Sequence, residues 1–461
     1  MNENHKFGHL HLGLPDDILR YKVNGDFDRG IKQIEYRVSQ GDLSEEMVDA
    51  LRAQSEIMRR LPEEYPFSQE EAMGLLQKHI PDFTLEELQE KVLEGKIDWI
   101  YIKGQPHYFG RFFESLYKTD SDFQSRVITE DFPRGGIDPN QNGEHIFSDI
   151  KKEMMEKGEL SKRIRIRSSL RVKDEFLKKG EGVRVHLPIP RACDQQSDIR
   201  IETVYPANAV IAPEDAAQRT IYWEETMKEN HEFLVEYSYI HTAKYTEISS
   251  VKPDPDQGKH DLEEKAPHIM FTPYLMNLGE RITKGLDSPL DKAKAIYDFI
   301  TNEISYAFMP SYFCMENIAE ACALNRRGDC GVMTLLFITL CRSQGIPAQW
   351  QSGLIARRDF CGAHDWARFH IKPYGWMVAD PSFGVDAKSR GDEEKRAFYF
   401  GNLDPFRMVA NNEFQADFIP SKNYWRCDPY DNQVGEIETE KRPLLYSMFL
   451  RNKQVMSVED L

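Results

Sequence analysis

Cys330, His364 and Asp380 are the residues around which a reaction can be built. A thiol can attack a carbonyl, an imidazole can take and return the proton, and a carboxylate can fix the imidazole's tautomer. All of them fall within one stretch, Arg326 to Asp380, in the order nucleophile, base, orienter. The elements that hold them must therefore bring a cysteine, a histidine and an aspartate together.

The cysteine has the strongest local case. From Gly331 to Ser343 the residues suit a helix and are apolar on most faces: Val332, Met333, Leu335, Leu336, Phe337, Ile338 and Leu340. Such a helix is a buried one. Asp329 suits its N-cap, and Gly345 and Pro347 supply its stop. Cys330 then occupies the first turn, where free N–H groups and the helix dipole favour a thiolate. The plainer reading is a buried, inert cysteine, as most free cysteines are. Gly328 and Gly331 weigh against it, because they let other groups approach the sulfur.

His364 opens the run HDWARFHIK, and Gly375 to Ala379 resumes beyond Lys372-Pro373-Tyr374, which reads as a hairpin. Alternation puts His364, Trp366, Arg368 and His370 on one face. His370 competes as a base but lies close to the turn. Asp380 precedes Pro381 and could simply cap a turn. Parity discriminates further. A two-residue loop of Pro373 and Tyr374 pairs Ala367 with Asp380 and turns Asp380 away from His364. A three-residue loop, Lys372 to Tyr374, sets Trp366 opposite Asp380 and makes His364 its diagonal neighbour on the same face. A triad thus predicts an odd-numbered loop or a bulge, and the same parity excludes Asp365 as its third member.

Several pieces together resemble the core of the transglutaminase-like superfamily, in its bacterial members, whose fold is related to that of papain-type cysteine proteases. They are Arg327-Gly328-Asp329-Cys330-Gly331, Gly345-Ile346-Pro347-Ala348, His364-Asp365-Trp366-Ala367 and Trp376-Met377-Val378-Ala379-Asp380-Pro381. The resemblance covers roughly residues 265 to 435. It implies Cys330 as nucleophile, His364 as base and Asp380 as third member, acting on amide bonds through a thioester. The backbone N–H of Cys330, free at a helix start, suits an oxyanion donor. The resemblance implies a second, side-chain donor, for which Tyr306 is a candidate; Trp366 is a further candidate for substrate contact. Water as acceptor makes a peptidase or amidase, and a lysine amine makes a protein cross-linker. Hydrolysis is the expectation, since a cytoplasmic cross-linker would endanger its own compartment. An N-glycanase is disfavoured by the lack of paired CxxC motifs, and no acidic loop resembles an EF-hand. No cofactor or metal is expected. The rival from another class is a binding or scaffold protein with a retired core.

The 461 residues are too many for one typical core, and two or three domains are expected. A formal net charge of −17 argues against nucleic acid or an anionic membrane as partner; the resemblance implies a peptide or protein substrate. The N-terminal sequence has no apolar signal-like segment, and no run reaches the roughly 18 apolar residues of a membrane span. The seven cysteines are odd in number and scattered, which fits a reducing cytoplasm better than a disulfide framework. Cys361 lies three residues before His364. It reads either as a neutral loop thiol or as a redox partner of Cys330.

The expected fold class is α+β in three parts. Residues 1–150 form a mainly helical N-terminal region, with capping boxes at Ser68–Glu71 and Thr84–Glu87 and a helix after Ser44. An aromatic stripe over 107–118 reads as a helical packing face. This region carries no chemistry of its own and is expected to limit access to the site. Residues 133–144 read as a linker and about 147–158 as a short charged helix. Residues 160–250 alternate with period two and read as an antiparallel β-sandwich; the basic run from Lys162 to Lys173 reads as one solvated strand face. After a charged linker over 251–266, residues 265–461 form the papain-like, transglutaminase-like catalytic core. Its helices are expected near Pro289 to Thr301 and Glu316 to Leu324, and its C-terminal tail is expected to pack on it.

Overall fold

A computed structural model describes residues 13–128, 144–248 and 252–461. The sequence-based linker over 133–144 lies outside them except for Glu144, which opens the helix Glu144–Lys157. The fold is α+β with several antiparallel sheets.

The N-terminal region begins as helices Asp16–Val23, Phe27–Gln40 and Glu45–Glu64. Ser44 caps the third by accepting from the Met47 N–H, and both capping boxes form, at Ser68 and at Thr84. Each such cap stabilises its helix by about 1 kcal/mol. The aromatic stripe is only partly helical. Gln105–Tyr108 pairs as a strand with Trp99–Ile102, and the helix starts at Phe112. Phe112, Phe113 and Leu116 do form a packing face, against Leu76, Phe83, Leu88 and Phe123.

The first three helices have no separate core. Ile18, Phe27, Ile34, Leu51, Ile57, Met58 and Leu61 belong to one buried cluster with Val332, Leu335, Leu336, Phe337 and Leu340 of the Cys330 helix. These three helices are therefore part of the same body as the Cys330 helix and not a detachable cap.

The sandwich is present, but the chain completes it from its far end. One sheet runs Phe449–Asp460, Glu159–Val172, Phe233–Lys244, Gln196–Tyr205; the other runs Pro443–Leu444, Glu436–Thr439, Gly182–Pro188, Thr220–Thr226, Val210–Ile211. Ile164, Ile166, Val183, Val185, Trp223 and Val235 fill the space between them. The basic strand turns outward, where Arg163 pairs with Asp198 and Arg165 with Glu202 and Glu236. The last strands of the tail thus join the sandwich, while Phe400, Phe414 and Tyr430 pack in the same cluster as the Cys330 helix. Those last strands cover the edges of Glu159–Val172 and Gly182–Pro188, which would otherwise present unpaired backbone.

The part of the chain that holds Cys330 carries a five-stranded antiparallel sheet, Phe400–Gly401, Gly375–Ala379, Phe360–Ile371, Ala348–Arg357, Arg407–Asn411. Helices Pro273–Ile282, Pro289–Glu303 and Ile318–Asn325 surround the Cys330 helix, Cys330–Ser343. That helix packs on the face bearing Ala367, Phe369, Ile371, Met377 and Ala379. Trp366, Val378 and Val409 point the other way, against Met154, Phe398 and Tyr399. Met154 comes from the short charged helix, Glu144–Lys157.

Because one core spans both parts, Leu51→Ala should loosen the catalytic helix as well as its own. We expect a loss of about 2–5 kcal/mol, read by urea unfolding. Buried Cys341, on the catalytic helix, should become labelled by a thiol reagent at the same lower urea concentration. Unchanged protection of Cys341 would mean that the N-terminal helices fold independently.

Candidate active site

Asp329 builds the start of the Cys330 helix. Its Oδ1 accepts from the Val332 N–H at 3.1 Å and from the Tyr312 hydroxyl at 2.7 Å. Tyr312 reaches it only because residue 331 is glycine; a Cβ there would lie 2.0 Å from the Tyr312 hydroxyl oxygen. Cys330 is half-buried in the first turn, and its Sγ donates to Asp365 Oδ2 at 3.2 Å. The Asp365 N–H also points at the sulfur. Burial, together with the Asp365 and Asp329 carboxyls, pushes the thiol well above its usual range. In this arrangement the helix start does not produce a standing thiolate.

The hairpin has the three-residue connection that the triad demands. Ile371 lies opposite Gly375, whose φ is +80°, and Ala367 lies opposite Ala379. Asp380 follows directly and shares a face with His364. His364 Nε2 lies 2.7 Å from Asp380 Oδ2, with the two residues 4% and 0% exposed. Phe383 and Trp366 flank the imidazole, with ring centroids at 4.7 and 6.1 Å. Asp380 is a helix cap as well: its Oδ1 accepts from the Phe383 N–H at 3.0 Å and the Ser382 hydroxyl at 3.1 Å. The capping and orienting roles use different oxygens, so they do not compete.

Arg407 Nη2 lies 3.2 Å from the same Asp380 Oδ2 and 2.6 Å from Asp404 Oδ2. Burial pushes the Asp380 carboxyl up, but His364 and Arg407 outweigh it and leave it below its usual range. Burial pulls the His364 imidazole down, Asp380 opposes this in part, and the net direction is down.

His364 and its neighbour Asp365 point to opposite faces of the strand. The structure thus pairs His364 with Asp380 and Cys330 with Asp365, and among the described residues no hydrogen bond joins Cys330 to His364. Asp365 also accepts from Gln433 Nε2 at 2.5 Å and is hydrogen-bonded to Asp431. Asp431 in turn accepts from the Ser352 hydroxyl and from Asn411 Nδ2. Burial raises both carboxyls, and the Asp431 charge raises Asp365 further.

Cys330 and Asp365 open into a cavity of about 520 Å³. Its walls come from three parts of the chain: Arg60, Glu64 and Arg111 from the N-terminal region, Tyr306 and Tyr312 from the core, and Tyr446 and Arg451 from the C-terminal segment. Tyr306 lies under the Lys118 ammonium, 3.7 Å from its ring centroid. Trp366 does not line the cavity. It is fully buried, with its indole N–H donated to Gln351 Oε1 at 2.8 Å, so it braces His364 and does not meet substrate. His370 packs on Trp376 and His260 near the turn. Cys361 packs against the sandwich core, while its neighbours Phe360 and Gly362 line the cavity.

Sequence reasoning missed Asp365 as the thiol's partner, although parity had separated it from the His364 face. Asp431 and Gln433 lie in the C-terminal tail, for which the sequence suggested only packing on the core. Arg407, an arginine inside the apolar run FRMVAN, gave no sign of its partner.

Residues 276–381, the segment that holds Cys330, His364 and Asp380, match the model of the transglutaminase-like superfamily. No curated protein matches the chain. Among solved structures, a candidate cysteine protease from Cytophaga hutchinsonii is 16% identical, over 66% of this chain and 91% of that one, with a TM-score of 0.43. The periplasmic domain of TgpA from Pseudomonas aeruginosa is 15% identical, over 54% of this chain and 96% of that one, with a TM-score of 0.29. At these scores the likenesses carry no argument of their own.

Asp365→Asn keeps the shape of the thiol's partner and removes its charge. We expect the rate–pH profile of Cys330 alkylation by iodoacetamide to move toward lower pH by about one unit, followed by mass spectrometry. An unmoved profile would show that Asp365 does not govern the thiol.

Proposed function

We propose that the protein is a cysteine enzyme that acts on amide bonds of peptides or proteins through a thioester on Cys330, with water as the usual acceptor. The observation that carries this reading is the buried His364–Asp380 pair, at 2.7 Å, on the strand whose next residue holds the Cys330 thiol.

For turnover the Cys330 side chain turns from Asp365 toward His364. Its sulfur attacks the amide carbonyl while the imidazole takes the thiol proton, and Asp380 stabilises the imidazolium. Collapse of the tetrahedral intermediate breaks the C–N bond, and His364 gives its proton to the departing amine. Water then attacks the thioester with His364 as base, the C–S bond breaks, and acid and thiol are released. The Cys330 N–H, at a helix start, suits an oxyanion donor, and Tyr306 is the side-chain candidate on the cavity wall. A cavity of about 520 Å³ is of a size that holds a small ligand. This favours a peptide segment or small amide with water as acceptor over the docking of two proteins for cross-linking.

We place the enzyme in a reducing compartment, the cytoplasm. All seven cysteines are free thiols, which supports this reading, as does the need to keep Cys330 reduced. Among the described residues no helix is long and apolar enough to cross a membrane.

The test is incubation with a peptide library and a primary-amine probe, read by mass spectrometry for cleavage, deamidation and amine incorporation. Cleavage or deamidation is expected to dominate. Cys330→Ala should abolish it with the circular dichroism spectrum unchanged, and His364→Ala should reduce it by about 10²–10⁴-fold. Dominant amine incorporation would make the protein a cross-linker. Near-full activity of Cys330→Ala would remove the nucleophile assignment, and an inert wild type would favour the scaffold reading.

A further inference from the structure

Arg407 is the one residue of the His364 cluster for which acyl transfer has no stated use, and it is fully buried there. It projects from Arg407–Asn411, the edge strand of the core sheet, and its guanidinium carbon lies 4.6 Å from the Phe383 ring centroid and 5.4 Å from that of Trp366. Those are the rings that flank His364. Asp404 fixes it through Nε at 3.0 Å and Nη2 at 2.6 Å, and the Tyr399 hydroxyl donates to the same Asp404 oxygen at 3.2 Å.

The consequence is read at Asp380. One of its oxygens serves both His364 Nε2 and Arg407 Nη2, while the other serves the Phe383 N–H and the Ser382 hydroxyl. A carboxylate with so many donors has little charge left to stabilise a positive imidazole. The thiol, for its part, is bonded to Asp365 and not to the imidazole.

We propose that Arg407, clamped by Asp404, is a positioning residue that shares Asp380 with His364 and thereby keeps the resting His364–Cys330 couple uncharged, as imidazole and thiol, until a substrate carbonyl arrives. This rests on the reading of Cys330, His364 and Asp380 as a triad. It differs from an enzyme that stores a thiolate–imidazolium ion pair before substrate binds.

The charged and titratable groups around His364 set the signs. Asp380 and Asp404 raise the proton affinity of the imidazole, and Arg407 lowers it. Beyond them, His241 of the sandwich is buried and pulled down to about 4, so it adds no charge near neutrality. Losing the Arg407 charge should therefore favour imidazolium and, with it, a thiolate at acidic pH. Losing the Asp404 charge should do the opposite.

Cys330 alkylation by iodoacetamide, followed against pH on the whole chain, tests this without a known substrate. Wild type should react slowly at pH 6 and accelerate only as the thiol ionises, without an acidic plateau. Arg407→Gln should raise the rate at pH 6 by about tenfold, the change in thiolate fraction that one pKa unit makes. Asp404→Asn should shift the profile the other way, and the double variant, which removes both buried charges together, should return it toward wild type. His364→Ala should erase both shifts. A fast acidic plateau in wild type would overturn the proposal, as would shifts of equal sign in the two single variants. If Arg407→Gln does not fold, the direction given by Asp404→Asn decides. A profile that His364→Ala leaves unchanged would instead sink the triad reading beneath it.

Discussion

A β-strand shows its side chains alternately to its two faces, and the site depends on the face that each residue of Phe360–Ile371 receives. The three-residue connection after Ile371 sets Ile371 against Gly375. That register sends His364 and Asp380 to one side of the sheet and Asp365 to the other. A loop one residue shorter would separate His364 from Asp380 and leave a buried imidazole without its carboxylate. The same alternation seats Ala367 and Phe369 on the catalytic helix, so the register that orients the imidazole also fixes the packing of the helix. A one-residue slip would expose an apolar row and break the pair together.

Much of this was legible in the sequence because it is local. The Cys330 helix follows from a continuous apolar run with Asp329 before it and Gly345 after it. The capping boxes at Ser68 and Thr84 are fixed by residues three apart, and the hairpin by its alternation and its turn. What could not be read depends on contacts between distant segments. The edge strands of the sandwich are supplied by residues 436–460, and nothing in KQVMSVED says which sheet it joins. Asp431 and Gln433 meet Asp365 across more than sixty residues of chain. Arg407 meets Asp380 only because Arg407–Asn411 pairs with Ala348–Arg357 at the far side of the hairpin's sheet. The N-terminal helices carry amphipathic faces that reveal burial but not the partner, which is the catalytic helix itself.

That shared core changes how the N-terminal region acts on the site. A capping domain would cover a finished cavity and could leave it. Here the helix Glu45–Glu64 brings Arg60 and Glu64 to the cavity wall, and Arg111 arrives from the following segment. Arg60 is bound to Glu56 and to the backbone carbonyls of Arg426 and Cys427, and Ser311 donates its N–H to Glu64 at 3.2 Å. These residues connect three parts of the chain around the thiol. The region that carries no chemistry of its own thus shapes the space in which the chemistry occurs.

Two titratable systems flank Cys330, and they resolve burial in different ways. On the His364 side, Asp380 and Asp404 share one guanidinium and Asp380 also meets the imidazole, which holds both carboxyls below their usual range despite burial. On the Asp365 side, the described residues place no cation in ion-pairing contact with Asp365 or Asp431, and burial raises both carboxyls instead. A low-dielectric site disfavours any further isolated charge, and a thiolate between these systems would be one. The thiol therefore stays neutral and donates to Asp365. What can lower the free energy of its ionisation is an electrophile that takes the charge onto an oxygen facing the first turn of the helix. On the proposed acyl-transfer reading, charge separation is then confined to the step that forms the C–S bond, and the neutral thiol is protected from oxidants and alkylating agents between turnovers.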